Sequence, residues 1–387
     1  MKKYDVIVIG AGLAGLQCAL RLGKQGARVL LAERKLSLTE AVHTTGIFVR
    51  RTLEDFEFPE GTLGPPVRHV TLYSPARRAM MLESEHEEFR VGRMGRLYER
   101  YLDECIGAGV EWAPATRYAG CAKDGTDSLV HFETEGTRWA TRARLVVGGD
   151  GANSRVARDL ELDSNSEWIV GVEEVFADVP LDGQPRFHCF LDPKLAPGYL
   201  AWIVHDGEEA HIGVGGYAKH FDPLRALETF RGSVDGSIVD LSGARKIERR
   251  GGRIPVGGVL RRIACERGLL IGDAAGAVSP LTAGGLDPCM RLSSFASRVI
   301  CDYLATGDAN VLAQYSGKAF RARFTSRLWM RRLLAEVKRP ALLELACGAM
   351  RLPLLSSLAW HVFFGRGSFP DMGTQAHLPA SLHQHAR

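Results

Sequence analysis

Cysteines spaced two residues apart are missing from this sequence, although eight cysteines are scattered between Cys18 and Cys347. That spacing excludes a dithiol redox motif and a cysteine-based zinc site, and no metal centre is expected. Long apolar runs are missing too, so no segment reads as a span of a bilayer. Excess charge of one sign is small, at +4 over 387 residues. With no nucleic-acid motif beside it, that charge gives no reason to expect a nucleic-acid partner. Internal repeats and low-complexity tracts are absent as well. The opening MKKYDVIVIG places two lysines before an apolar run, but the run is short, carries Asp5 and ends in a glycine turn. It reads as a buried first strand of a cytoplasmic protein rather than as a signal peptide.

Glycine is plentiful, at 43 residues, and its placement carries information. Tyr4 to Ile9 is a short β-rich run. Gly10, Gly12 and Gly15 follow at G-x-G-x-x-G spacing, Leu16 to Leu22 continues with helical character, and a second apolar run from Ala27 to Ala32 ends at Glu33. This strand–helix–strand order is the context a dinucleotide-binding fingerprint requires. Gly10 permits the tight exit from the strand. Gly12 lets backbone approach a pyrophosphate, and Gly15 lets the helix pack on the sheet. The helix N-terminus, including Leu13 and Ala14, offers free N–H groups and partial positive charge to phosphates. Glu33 is placed to accept hydrogen bonds from ribose hydroxyls, with Arg34 beside it. By itself the fingerprint does not distinguish FAD from NAD.

Two later segments repeat one design. LVVGGDGANS, Leu145 to Ser154, runs a strand into Asp150 and Gly151. GLLIGDAAGAVSPLTAGGL, Gly268 to Leu286, runs another into Gly272 and Asp273. Each ends a strand in a glycine turn with one aspartate set to meet a ribityl or ribose hydroxyl, where ligands of doubly wound sheets bind. Gly284 and Gly285 leave room for a flavin ring, and Asp287 and Pro288 read as the N-cap and first residue of the next helix.

The three segments in this order resemble the FAD-dependent superfamily with the p-hydroxybenzoate hydroxylase-type fold. The resemblance runs from Met1 to about Asp302. Within that superfamily the chain is most similar to the geranylgeranyl reductase family. GDAAGAVSPLTAGGL resembles its late motif, LYSPARRAMMLE (Leu72 to Glu83) its early hairpin, and PGYLAWIV (Pro197 to Val204) its P-x-x-Y-x-W-x-F-P motif. Pro197 and Trp202 match that motif, whereas Leu200, Val204 and His205 depart from it, and Tyr199 is one residue out of register. Some members carry a cysteine near the flavin where this chain reads HTTGIF, His43 to Phe48. The resemblance implies FAD contacts from Gly10, Gly12, Leu13, Ala14, Gly15, Glu33, Arg34, Arg93, Asp150, Gly151, Gly272, Asp273, Pro280, Gly284, Gly285 and Leu286. Arg96 competes with Arg93 for its role. Thr45 and Trp202 are the candidates for the substrate pocket.

The implied fold is α/β: a Rossmann-type FAD-binding domain interleaved with a mixed β-sheet substrate domain and followed by a helical C-terminal region. The FAD domain takes residues 1–65, 88–161 and 265–312, and the substrate domain takes 66–87 and 162–264. Helices are expected over 313–366 and a loose tail over 367–387. Residues 318–339 are crowded with arginine and lysine, and an apolar stretch follows to Phe364. This region reads as a bundle with solvated arginines or as a peripheral membrane contact over 318–364.

The expected function is reduction of carbon–carbon double bonds in a small apolar, isoprenoid-like substrate. With no second G-x-G-x-x-G, electrons would come from NAD(P)H in transient contact or from another reduced carrier, including an electron-donor protein. The alternatives are a flavin monooxygenase hydroxylating an aromatic or other small molecule, and a flavoprotein acting on a partner protein.

Overall fold

The computed structural model describes residues 2–181 and 183–365. Its first sheet has eight strands. The run Tyr4 to Ile9 lies within the strand Lys3–Ile9, which is buried from Val6 onward and pairs in parallel with Val29–Ala32 on one side and Thr137–Gly148 on the other. Thr137–Gly148 pairs in parallel with Gly268–Leu270, and Val29–Ala32 with Glu111–Ala113. These runs are apolar because helices cover the sheet: Leu13–Lys24 packs against Leu286–Thr306 and against Met94–Gly107.

Register brings the motifs together. Ile9 is opposite both Ala32 and Gly148, and Gly148 is opposite Leu270. Four parallel strands therefore stop at one level, so Gly10, Glu33, Gly149–Asp150 and Gly272–Asp273 emerge at one sheet edge. Backbone bonds fix that edge: Gly10 N donates to Ala32 O, Gly149 N to Ile9 O and Ile271 N to Gly148 O, at 2.8, 2.8 and 2.9 Å.

A second sheet of seven strands runs in the order Arg245–Pro255, Trp168–Ala177, Glu209–Gly216, Ala201–His205, Arg186–Phe190, His69–Tyr73 and Ala79–Glu83. Helix Pro223–Val234 packs on the strands Trp168–Ala177 and Glu209–Gly216, with Phe230 against Phe190 in a core of its own. A three-stranded sheet of Ile47–Val49, Phe89–Gly92 and Leu63–Val67 accompanies the two large sheets. The divisions placed at 65/66 and 264/265 fall inside strands, Leu63–Val67 and Ala264–Cys265.

Four helices follow: Gly317–Ala322, Thr325–Glu336, Pro340–Ala349 and Pro353–Phe364. Pro340 and Pro353 sit in the first turns of the last two, where a missing N–H costs nothing. The expectation of solvated arginines holds for exposed Arg332 and Arg339 and needs correction for Arg321 and Arg331. Arg321 donates to the Gly257 and Val259 carbonyls at 2.8 and 3.0 Å. Arg331 is only 2% exposed, held between the rings of Tyr199 and Tyr217. Its Nε donates to the Tyr217 hydroxyl at 3.2 Å, and the two rings offer the cation their faces, while Nη1 and Nη2 have no hydrogen-bond partner among the described residues. Among the described residues no helix is long and apolar enough to cross a membrane. The tail expected to be loose lies outside the described residues.

Candidate active site

One cavity of about 1840 Å³ opens along the edge where the parallel strands end and continues to the inner face of the seven-stranded sheet. Its first half is the glycine loop. Gly10 has φ +97°, and a Cβ there would stand 2.4 Å from Gly149 O. A Cβ on Gly15 would stand 1.8 Å from Gly10 O, so helix and strand touch as the spacing predicts. A Cβ on Gly12 would meet nothing within 4 Å. No protein contact calls for glycine there, and the free space opens into the cavity. Glu33 is fixed at both oxygens, Oε2 accepting from Ala11 N at 2.9 Å and Oε1 from Lys35 N at 3.0 Å. Arg34, Leu13 and Ala14 line the same end.

The two aspartates differ. Asp150 lines the cavity, but its carboxylate accepts from Ser154 Oγ at 2.6 Å and from the backbone N of Arg155 and Val156 at 2.7 and 3.2 Å. It thereby holds the start of the helix Arg155–Asp159. Asp273 receives no donor at its carboxylate from the described residues; burial alone raises its pKa to about 6. An unpaired carboxylate in a cavity wall is an acceptor available to a ligand. Gly151, Gly272, Gly284, Gly285 and Leu286 line the cavity with it.

Several expected positions do not reach the cavity wall. Arg93 instead clamps two loops, its Nη1 donating to Gly61 O at 3.2 Å and its Nη2 to Asp206 O at 3.4 Å. Arg96 is exposed and paired with Glu208 at 2.9 Å. Pro280 is buried but absent from the lining, and Gly15 acts through packing alone. Asp287 is not an N-cap: Gly285 is, and the helix begins at Leu286. The Asp287 carboxylate accepts from Thr52 Oγ1 and from Arg291 Nε, both at 2.8 Å. A charged partner one turn on, at Arg291, draws the carboxylate away from the helix start.

The second half of the cavity is walled by the sheet and the C-terminal helices. Thr45 and Trp202 both line it and meet at a residue the sequence reading missed. Glu173 Oε2 accepts from Thr45 Oγ1 at 2.6 Å and from Trp202 Nε1 at 3.0 Å, while Oε1 accepts from Arg250 Nε at 2.6 Å. Burial works to raise the Glu173 pKa, but His211, Arg250 and Thr45 outweigh it and lower it to about 2. His211 stands between carboxylates, Nδ1 3.5 Å from Glu173 and Nε2 3.6 Å from Asp206. Burial lowers its pKa, yet those two carboxylates raise it to about 9. Ligand atoms of Asp206, Glu209 and His211 lie within 4.8 Å of one another, but the Arg250 guanidinium against the His211 ring opposes a cation there. One signal for this network was present in the sequence: Glu173 and Glu174 interrupt the otherwise apolar strand WIVGVEEVFA. Nothing in sequence marked the remaining wall, formed by Met330, Leu334, Leu343, Met350, Val362 and Phe363.

The sequence matches the FAD binding domain family over residues 3–327. The chain belongs to that family. This flavoprotein, whose cofactor is FAD, is 29% identical over 329 residues to digeranylgeranylglycerophospholipid reductase 1 of Methanopyrus kandleri, covering 82% of this chain and 86% of the relative. It is 26% identical over 337 residues to the reductase of the same name from Methanococcoides burtonii, covering 84% and 81%. Among solved structures, a geranylgeranyl bacteriochlorophyll reductase-like protein of Thermoplasma acidophilum aligns with a TM-score of 0.83 at 20% identity, over 97% of this chain and 98% of that one. The p-nitrophenol 4-monooxygenase PnpA of Pseudomonas putida aligns at 0.71 with 18% identity, over 95% and 100%. The structural likenesses show the shared fold, and the names of the sequence relatives agree with the resemblance to geranylgeranyl reductases.

Proposed function

We propose that this flavoprotein reduces carbon–carbon double bonds of an apolar, isoprenoid-like substrate. The observation that carries the reading is the continuity of the cavity: the glycine-loop half runs without a partition into a half walled by Leu200, Leu334, Leu343, Met350, Val362 and Phe363. A lining of that kind binds a hydrocarbon chain by removing it from water, at about 25 cal/mol per Å² of apolar surface. The relatives named as reductases of a geranylgeranyl lipid support the same substrate class.

The residues present fit FAD. In this reading Gly12 and the start of the helix Leu13–Lys24, with its free N–H groups, would hold the pyrophosphate. Glu33, already fixed by two backbone donors, takes a ribose hydroxyl at its remaining lone pairs. Asp273 would be the acceptor for the ribityl chain, since its carboxylate receives no donor from the described residues and lines the cavity. Gly284, Gly285 and Leu286 face the ring. Bound FAD, once reduced, would supply a hydride to one carbon of the double bond, a proton completing the other, and NAD(P)H or another reduced carrier, including an electron-donor protein, would restore it. The chain's own residues orient the substrate and exclude water through the apolar wall.

The same helices suggest where such a substrate enters. Trp329, Leu333, Leu342, Leu345 and Trp360 are exposed on the helices whose other residues line the cavity. Arg332, Lys338 and Arg339 are interspersed among them. Apolar side chains mixed with cations suit a peripheral contact with an anionic lipid surface.

The test is product mass after anaerobic reduction of the holoprotein with a panel of polyprenyl lipids and quinones. A gain of two hydrogens supports the reading. No conversion without oxygen, followed by a gain of one oxygen atom when air is admitted, would replace it with monooxygenation.

A further inference from the structure

Glu173 joins elements that otherwise belong to different parts of the fold. Thr45 sits in the loop ahead of the strand Ile47–Val49, in the three-stranded sheet. Glu173, Trp202 and Arg250 belong to three strands of the seven-stranded sheet. All four residues line the cavity. The carboxylate is 3% exposed at the residue level and carries three hydrogen bonds from three different donors.

The donor roles are fixed by chemistry. An indole N–H and a guanidinium N–H can only donate, so the carboxylate accepts both. Thr45 has one hydroxyl proton, and at 2.6 Å that proton points at Glu173 Oε2. The Thr45 oxygen can then present only lone pairs elsewhere. Trp202 is held just as closely from behind: a Cβ on Gly213 would stand 2.2 Å from its Cζ2, so only glycine lets the indole lie flat on the sheet. An Arg250–Glu173 pair alone would satisfy both charges. The added contacts to Thr45 and Trp202 tie the two walls of the cavity to one anchor.

We propose that Glu173 is a positioning residue for the reduction: it sets Thr45 and Trp202 in the cavity wall and turns the Thr45 hydroxyl so that it acts only as an acceptor toward bound molecules. The inference rests on the reductase reading above. Its effect falls on the geometry of the reacting groups, where a misplacement of about 1 Å costs about 100-fold in rate.

The test uses the full-length, FAD-loaded enzyme and geranylgeraniol as substrate, with T45V, T45S, E173Q and T45V/E173Q. T45V is expected to lower kcat by about 10- to 100-fold with KM changed by no more than about threefold and FAD occupancy unchanged. T45S, which keeps the hydroxyl, restores the rate. The double variant is no slower than the slower single one, because both remove the same contact. Full kcat in T45V, equal loss in T45S and T45V, or additive losses in the double variant would each overturn the proposal. If E173Q fails to load FAD, the T45V and T45S pair still decides, since neither alters a buried charge. A wild-type enzyme that adds no hydrogens to any polyprenyl substrate overturns the reductase reading and this proposal with it. Wild-type turnover with an indifferent T45V overturns this proposal alone.

Discussion

The glycine-loop half of the cavity and the half beneath the seven-stranded sheet are built in opposite ways. In the first, each chemical group sits within a few residues of a strand end, at Gly10, Glu33, Asp150 and Asp273. Parallel register alone brings the four together. In the second, Thr45, Glu173, Trp202 and Arg250 come from separate segments, and side-chain hydrogen bonds rather than register join them. The first half tolerates little change of backbone. The second depends on one buried carboxylate keeping its charge, because a buried polar group without partners costs about 1–3 kcal/mol.

The largest effect is expected at Gly15. Gly15→Ala places a Cβ 1.8 Å from Gly10 O and is expected to destabilise the protein by about 3 kcal/mol, with loss of bound flavin. Gly12→Ala meets no protein atom; its thermal stability without FAD should match wild type while FAD affinity falls. Equal melting temperatures for both variants without FAD would show that the loop is not set by this contact.

Next in size is Asp273→Asn, expected to weaken FAD binding by roughly 10-fold, the worth of one hydrogen bond to a charged acceptor. Flavin titration of the apoprotein measures it. Burial raises the Asp273 pKa to about 6. Donors on bound FAD would bring it down, so binding releases a proton. Affinity should therefore fall as pH drops below about 6 in wild type and stay flat in Asp273→Asn. A wild-type affinity independent of pH across that window would remove Asp273 from the flavin contacts.

On the sheet side, the Asp206 and Glu173 carboxylates favour the protonated form of His211 against burial and Arg250, and its pKa is raised to about 9. A group whose pKa is raised on folding contributes stability in full below its unfolded value. That contribution is lost as pH rises through the folded value. The melting temperature should fall between about pH 6.5 and about pH 9, and His211→Gln should flatten that slope. Asp273, the group with a raised pKa in the glycine-loop half, titrates at about 6 and so below that window; a slope that persists in His211→Gln must originate elsewhere.

The smallest effect is expected at Arg93, which bonds two loops away from the cavity. Arg93→Ala should cost about 1 kcal/mol of stability and leave FAD affinity unchanged in a flavin titration. Loss of FAD would return this arginine to the cofactor site.

The contrast also explains what could be read from residues alone. The strand–turn–helix segments at Gly10, Asp150 and Asp273 were legible because each encodes its local backbone and its chemistry in one contiguous stretch. Thr45 and Trp202 were picked out by resemblance, but the residue that joins them was not. Glu173 looks like one of two acids in an apolar strand until pairing with Glu209–Gly216 and Arg245–Pro255 sets His211 and Arg250 around it. Arg93 and Pro280 show the converse: both were picked out by resemblance, yet Arg93 bonds to the Gly61 and Asp206 carbonyls and neither residue lines the cavity.

By itself, then, the sequence determined the parallel sheet, the glycine loop and the kind of cofactor, since hydrophobic periodicity and glycine spacing act over a few residues. Only the tertiary structure decided which aspartate is left unpaired, which arginines are buried, and how the C-terminal helices close the apolar half of the cavity. Those outcomes depend on which distant groups meet, and a buried charge or an exposed face is defined only once its neighbours are in place.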